Sequence, residues 1–109
     1  MIMPETNLLP LGTIVKLKDH EVLDFMIIGY YPVKEDTRQL FEYSSLLYPQ
    51  GFLNQGQIFM FNSEDIEGVA FKGYSDEESE EYRDGIEGMI YIMGESFAKE
   101  GDIDYENES

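Results

Sequence analysis

The spacing of apolar residues changes once along this chain, and that change limits the possible folds more than any single motif does. From Thr13 to Gly73 the apolar residues come in short β-prone runs broken by Gly, Pro, Asn and charged clusters, whereas beyond Ser75 they recur at steps of three and four. Runs of the first kind form strands joined by tight turns, and a pattern of the second kind forms an amphipathic helix. The order predicts an α+β chain with its sheet first.

Within the first part, Thr13-Ile14-Val15-Lys16-Leu17-Lys18 alternates like a half-exposed strand, and Asp19-His20-Glu21 makes a polar turn. Leu23 to Tyr31 is apolar at both parities, as expected of a central strand covered on both faces. Pro32 to Arg38 reads as a charged distal loop before a third strand, Gln39 to Tyr48. Tyr48-Pro49-Gln50-Gly51 places Pro and Gly where a turn uses them, and Asn54-Gln55-Gly56 is a second break before a fourth strand, Gln57 to Phe61. Asn62 to Ile66 has a capping side chain and acids, but Gly68 leaves room for about one helical turn; Val69 to Lys72 is then a short fifth strand. This element order is that of small SH3-like barrels. The expected fold is a small antiparallel SH3-like five-stranded β-barrel over about 8–73, followed by a C-terminal amphipathic α-helix over about 76–97, in a single domain 1–98.

Ser75-Asp76-Glu77-Glu78 reads as a capping box, with Ser75 accepting from the Glu78 amide and acids at the positive helix end. Tyr82, Ile86, Ile90, Met93 and Phe97 trace one apolar stripe, expected to pack on the barrel. Gly85 and Gly88 leave two readings open: close approach to a strand, or a weak, bent helix. Residues 99–109 are acidic and aperiodic, and a flexible tail is expected there.

Charge and composition remove several function classes. The chain has no Cys, so it has neither disulfides nor thiolate chemistry. Its 109 residues carry 23 acids against seven bases, a formal charge of −16 that opposes binding to nucleic acid or to anionic membranes. The charge is uneven: residues 1–63 hold seven acids and four bases, residues 64–109 sixteen and three. No apolar run approaches the about 20 residues of a membrane span, and MIMPETNLLPLG lacks the basic and apolar regions of a signal peptide. A soluble, cytoplasmic protein without membrane insertion is expected.

No reaction centre emerges. His20 is the one histidine and sits in a polar turn, so neither a catalytic triad nor a zinc site forms around it, and it is assigned no role. Asp76, Glu77, Glu80, Glu81, Asp84 and Glu87 make a dense carboxylate surface on the helix. It is read first as a solvated face, next as a docking surface for a basic protein, and last as a divalent-cation site. Asp102-Ile103-Asp104-Tyr105-Glu106 lacks the Gly and distal Glu of a calcium loop, and no phosphate-loop motif occurs. No catalytic residue, metal or cofactor is assigned. Tyr30, Tyr31, Tyr43, Tyr48 and Phe52 suit core and rim packing, with a peptide groove as the second reading.

Leu9-Pro10-Leu11-Gly12, Met26-Ile27-Ile28-Gly29, Leu47-Tyr48-Pro49-Gln50-Gly51, Phe61-Asn62-Ser63-Glu64-Asp65-Ile66 and Phe71-Lys72-Gly73-Tyr74-Ser75-Asp76-Glu77-Glu78 together resemble a family of small acidic proteins of Gram-positive bacteria, classed as a domain of unknown function. The resemblance covers residues 8 to about 84, and departs at Asp19-His20-Glu21, where glycines are expected. Members are often encoded among type VII secretion genes, near LXG-type toxins. The resemblance thus implies a non-enzymatic accessory, chaperone-like or regulatory protein that acts through contacts with a protein partner from the same gene neighbourhood; the charge asymmetry makes Asp76, Glu77, Glu80, Glu81, Asp84 and Glu87 the expected partner-binding residues. An immunity protein that neutralises a basic toxin by acidic mimicry is the alternative, as is an SH3-like peptide-binding module. The sequence leaves a homo-oligomer open.

Overall fold

The computed structural model describes residues 8–53 and 57–93, and the backbone of 104–106. The strands are β1 Ile14–Leu17, β2 Asp24–Tyr30, β3 Tyr43–Tyr48, β4 Ile58–Phe61, β5 Ile66–Phe71 and β6 Asp104–Glu106. A 3₁₀ turn, Ser63–Asp65, precedes β5, and one helix, α1, spans Glu77–Met93. All strand pairs are antiparallel, in the order β5-β1-β2-β3-β4-β6.

The architecture is thus a small α+β fold with one open antiparallel sheet and a C-terminal helix. The expected closed barrel is not formed, because β5 pairs only with β1 and lies at the opposite end of the sheet from β4 and β6. Glu67, Val69, Ala70 and Phe71 are all exposed, so the apolar side chains of β5 are not folded against the far end of the sheet as closure of a barrel requires. In the segment expected as a flexible tail, Asp104–Glu106 instead pairs with β4, whose free edge accepts any extended backbone whatever its side-chain period.

The core sits on one face of the sheet. Val15 and Leu17 of β1, Phe25 and Ile27 of β2, Tyr43 of β3 and Phe61 of β4 alternate inward and are buried together with Leu8. Phe25 meets the edges of Phe59 and Phe61 at centroid distances of 5.5 and 6.1 Å, the offset geometry that ring quadrupoles favour. Phe41 and Met60 form a smaller buried pair. β2 is therefore not covered equally on both faces: Phe25 and Ile27 are buried, while Met26 is half-buried and Ile28 exposed. Its continuous apolar run does not report two-sided burial: among the described residues, α1 packs against the core cluster through Ile86.

Two long-range clasps position the helix. Leu9 donates its N–H to the Tyr43 hydroxyl at 2.9 Å, and the Tyr30 hydroxyl donates to the Leu9 carbonyl at 2.6 Å, so the leader is held at both backbone groups. Gly73, just before α1, donates its N–H to the buried Thr13 hydroxyl at 2.9 Å. A Cβ on Gly73 would overlap the Leu11 carbonyl oxygen and crowd Thr13 N at 2.9 Å, so only glycine fits this crossing. Between β3 and β4, the Glu42 carboxylate accepts from both the N–H and the hydroxyl of Ser63 at 2.7 Å, which anchors the 3₁₀ turn.

Candidate functional site

The helix begins one residue later than its capping pattern predicts. Asp76, not Ser75, is the cap: its Oδ1 accepts from the Ser79 N–H at 2.9 Å, and its own N–H donates to the Ser79 hydroxyl at 3.0 Å. These bonds to Ser79, the backbone one foremost, hold the Asp76 carboxyl below its usual range. Ser75 serves elsewhere, accepting from Arg83 Nη2 at 2.7 Å, and Arg83 Nη1 reaches the Ser79 hydroxyl at 3.2 Å.

Arg83 explains the shift and is the residue that sequence reasoning missed. It is the buried side chain of α1, 4% exposed, with its guanidinium beside the Tyr30 hydroxyl and its Nε without a hydrogen-bond partner. Among the described residues no carboxylate lies within ion-pair distance of it, whereas Lys16 pairs with Asp24 at 2.7 Å. A signal existed: Arg83 is the lone base of an acidic helix and stands four residues after Ser79 and three before Ile86.

The expected apolar stripe is accordingly corrected. The inward face runs through Ser79, Arg83, Ile86 and Ile90, while Tyr82 and Met93, placed inward by the apolar spacing, are 61% and 58% exposed. Phe97 lies outside the described residues. Gly85 is also exposed, with nothing within 4 Å of an added Cβ, so close approach to a strand is not its role.

Of the six carboxylates assigned to the surface, Asp76, Glu77, Glu80, Glu81 and Asp84 are exposed. Glu87 is half-buried instead, and its charge, second to burial, pushes the Tyr31 phenol upward. Glu78, released from the expected cap, is exposed and joins the acidic surface. Because Arg83 is turned inward, no base stands on the outer face of Glu77–Met93. These acids do not enclose a cleft, and among the described residues no group of three His, Asp or Glu side chains is placed to hold a metal ion.

The aromatic groove is not assembled. Tyr43 is fully buried and Tyr30 and Tyr31 pack against the core, whereas Tyr48 and Phe52 are about half exposed on the β3 turn. Burial pushes the Tyr43 phenol up to about 12 and raises that of Tyr30 as well. His20 is exposed in the turn between β1 and β2.

These features define a class: a small acidic α+β domain whose helix presents an uncompensated carboxylate surface. Residues 8–82 match the family described as Domain of unknown function (DUF4176), and the chain belongs to that family. No curated protein and no solved structure matches it. Among the described residues no helix is long and apolar enough to cross a membrane.

Proposed function

We infer that this protein is a non-enzymatic accessory protein that binds a basic protein partner through the outer face of α1. One observation carries the reading: Glu77, Glu78, Glu80, Glu81 and Asp84 are all exposed while Arg83, the base among them, is buried. Carboxylates so placed keep their hydration until a partner arrives, and a clustered negative field accelerates encounter with a positively charged surface. The resemblance to proteins encoded near LXG-type toxins supplies the setting, a cytoplasmic role in type VII secretion or in handling its toxins.

The test is co-migration on a sizing column with the products of neighbouring genes. Complex formation is expected, and it should weaken on Glu77→Gln/Glu80→Gln/Glu81→Gln/Asp84→Asn substitution and at raised salt. Failure to co-migrate with any neighbour refutes the reading. Neutralisation of a basic toxin, the immunity reading, draws on the same carboxylates and is separated from the first by rescue of cells that express one specific toxin. An SH3-like peptide module keeps the support of the β5-β1-β2-β3-β4 strand order, but Tyr30, Tyr31 and Tyr43 are occupied in holding the leader and the core.

A further inference from the structure

α1 carries a second seam that the fold leaves uncovered. Glu78, Tyr82, Gly85, Met89 and Ile92 follow one another at steps of four, three, four and three, the 3.5-residue period with which one helix meets another. All five are exposed, Tyr82 by 61%, Met89 by 59% and Ile92 by 83%. Apolar side chains at helix-pairing spacing, left in water along more than two turns, are not explained by the protein's own core, which takes Ile86 on the adjacent face. Gly85, with open space around it, lies mid-seam, where a missing side chain lets a second backbone come close.

Charge selects the occupant. In helical projection Glu77, Glu81 and Asp84 line the border of the seam away from the core, and no base lies on the outer face to offset them. A second copy would set the same carboxylates against one another. The chain's own residues 94–109 hold six acids and one Lys, so they fit no better. We propose that the seam Tyr82–Gly85–Met89–Ile92 receives one amphipathic helix of a partner protein, apolar at its own a and d positions and basic along the border that meets Glu77, Glu81 and Asp84. The proposal rests on the reading of α1 as a binding surface and specifies the shape of its partner.

The test uses the full chain and three synthetic peptides of about three heptads each, a length that makes helix pairing measurable. One has a leucine seam with Lys and Arg elsewhere, the second is the same composition shuffled to destroy the seam, and the third has the leucine seam with Glu in place of the bases. Fluorescence anisotropy should show the first binding at least ten-fold more tightly than either other peptide. Met89→Ser/Ile92→Ser and Gly85→Gln should each weaken it at least ten-fold without lowering the melting temperature of the protein. Equal binding of the shuffled peptide, undiminished by the seam variants, overturns the seam and leaves the carboxylate surface standing. Equal binding of the acidic peptide overturns the basic partner. No binding of either basic peptide refutes both readings. Self-association that Met89→Ser/Ile92→Ser abolishes assigns the seam to a second copy and overturns the proposal.

Discussion

Where Gly73 crosses Leu11–Thr13, two backbone segments 60 residues apart meet with no room for a methyl group, whereas on α1 a Cβ added to Gly85 meets nothing within 4 Å. The first region is held by buried hydrogen bonds and by rings packed on one sheet face. The second is held by Ile86 and by one guanidinium bonded to two hydroxyls. The contrast separates what the fold needs from what it leaves free: the crossing sets where α1 starts, and almost nothing but Arg83 and Ile86 decides what its surface carries. A surface so lightly constrained can hold a dense array of like charges without disturbing the core.

Substitutions that act on one region and spare the other sharpen this comparison. The largest effect is expected for Gly73→Ala, which forces backbone apart at the crossing and should lower unfolding free energy by about 2–3 kcal/mol, read by urea titration. Next comes Arg83→Ala, which removes the guanidinium from Ser75 and Ser79 and should cost about 1–2 kcal/mol, with faster amide exchange in the first turns of α1 and little change in β1 to β4. Gly85→Ala works in the opposite direction. With no clash and a gain in helix propensity, it should stabilise by about 0.5–1 kcal/mol and raise helical circular dichroism. If Gly85→Ala destabilises instead, the outer face of α1 is not free.

Alkaline pH separates the two regions in another way. The Tyr43 phenol, normally near 10.0, is pushed up to about 12, first by burial, with Glu42 and Tyr30 adding to the rise. The folded state thus holds this proton more tightly than the unfolded chain does. The stability it contributes is complete below pH 10 and is lost as pH rises through about 12. Tyrosine absorbance followed with pH should show late ionisation coincident with loss of near-ultraviolet circular dichroism, and Tyr43→Phe should remove part of that late step.

Much of the β-unit was legible because its signals are local. Four strands at Thr13–Lys18, Leu23–Tyr31, Gln39–Tyr48 and Gln57–Phe61 are found at those places with trimmed ends, and the single turn after Asn62 is the 3₁₀ turn. What failed was set by contacts distant in sequence. The core and rim packing read first for the aromatics is where Tyr30, Tyr31 and Tyr43 lie, but the bonds of Leu9 with Tyr30 and Tyr43, 21 and 34 residues away, leave no periodic trace, so a groove stayed open as the second reading. The cap moved from Ser75 to Asp76 because a guanidinium eight residues on claims the Ser75 hydroxyl. The stripe was drawn through Tyr82 and Met93 because apolar spacing ignores a long charged side chain that buries its stem and bonds its head. Closure of the sheet depends on whether the side chains of β5 pack against the far end of the sheet, a long-range contact that a strand count does not reveal.

Chemical-shift mapping on the isotope-labelled full chain, titrated with the basic leucine-seam peptide, tests most directly whether α1 is where this protein meets others. Perturbations confined to Glu77–Met93, with amides of β2 and β3 unmoved, are expected. Shifts centred on the sheet, around Tyr31, Tyr48 and Phe52, with α1 silent would place binding on the other region and contradict it.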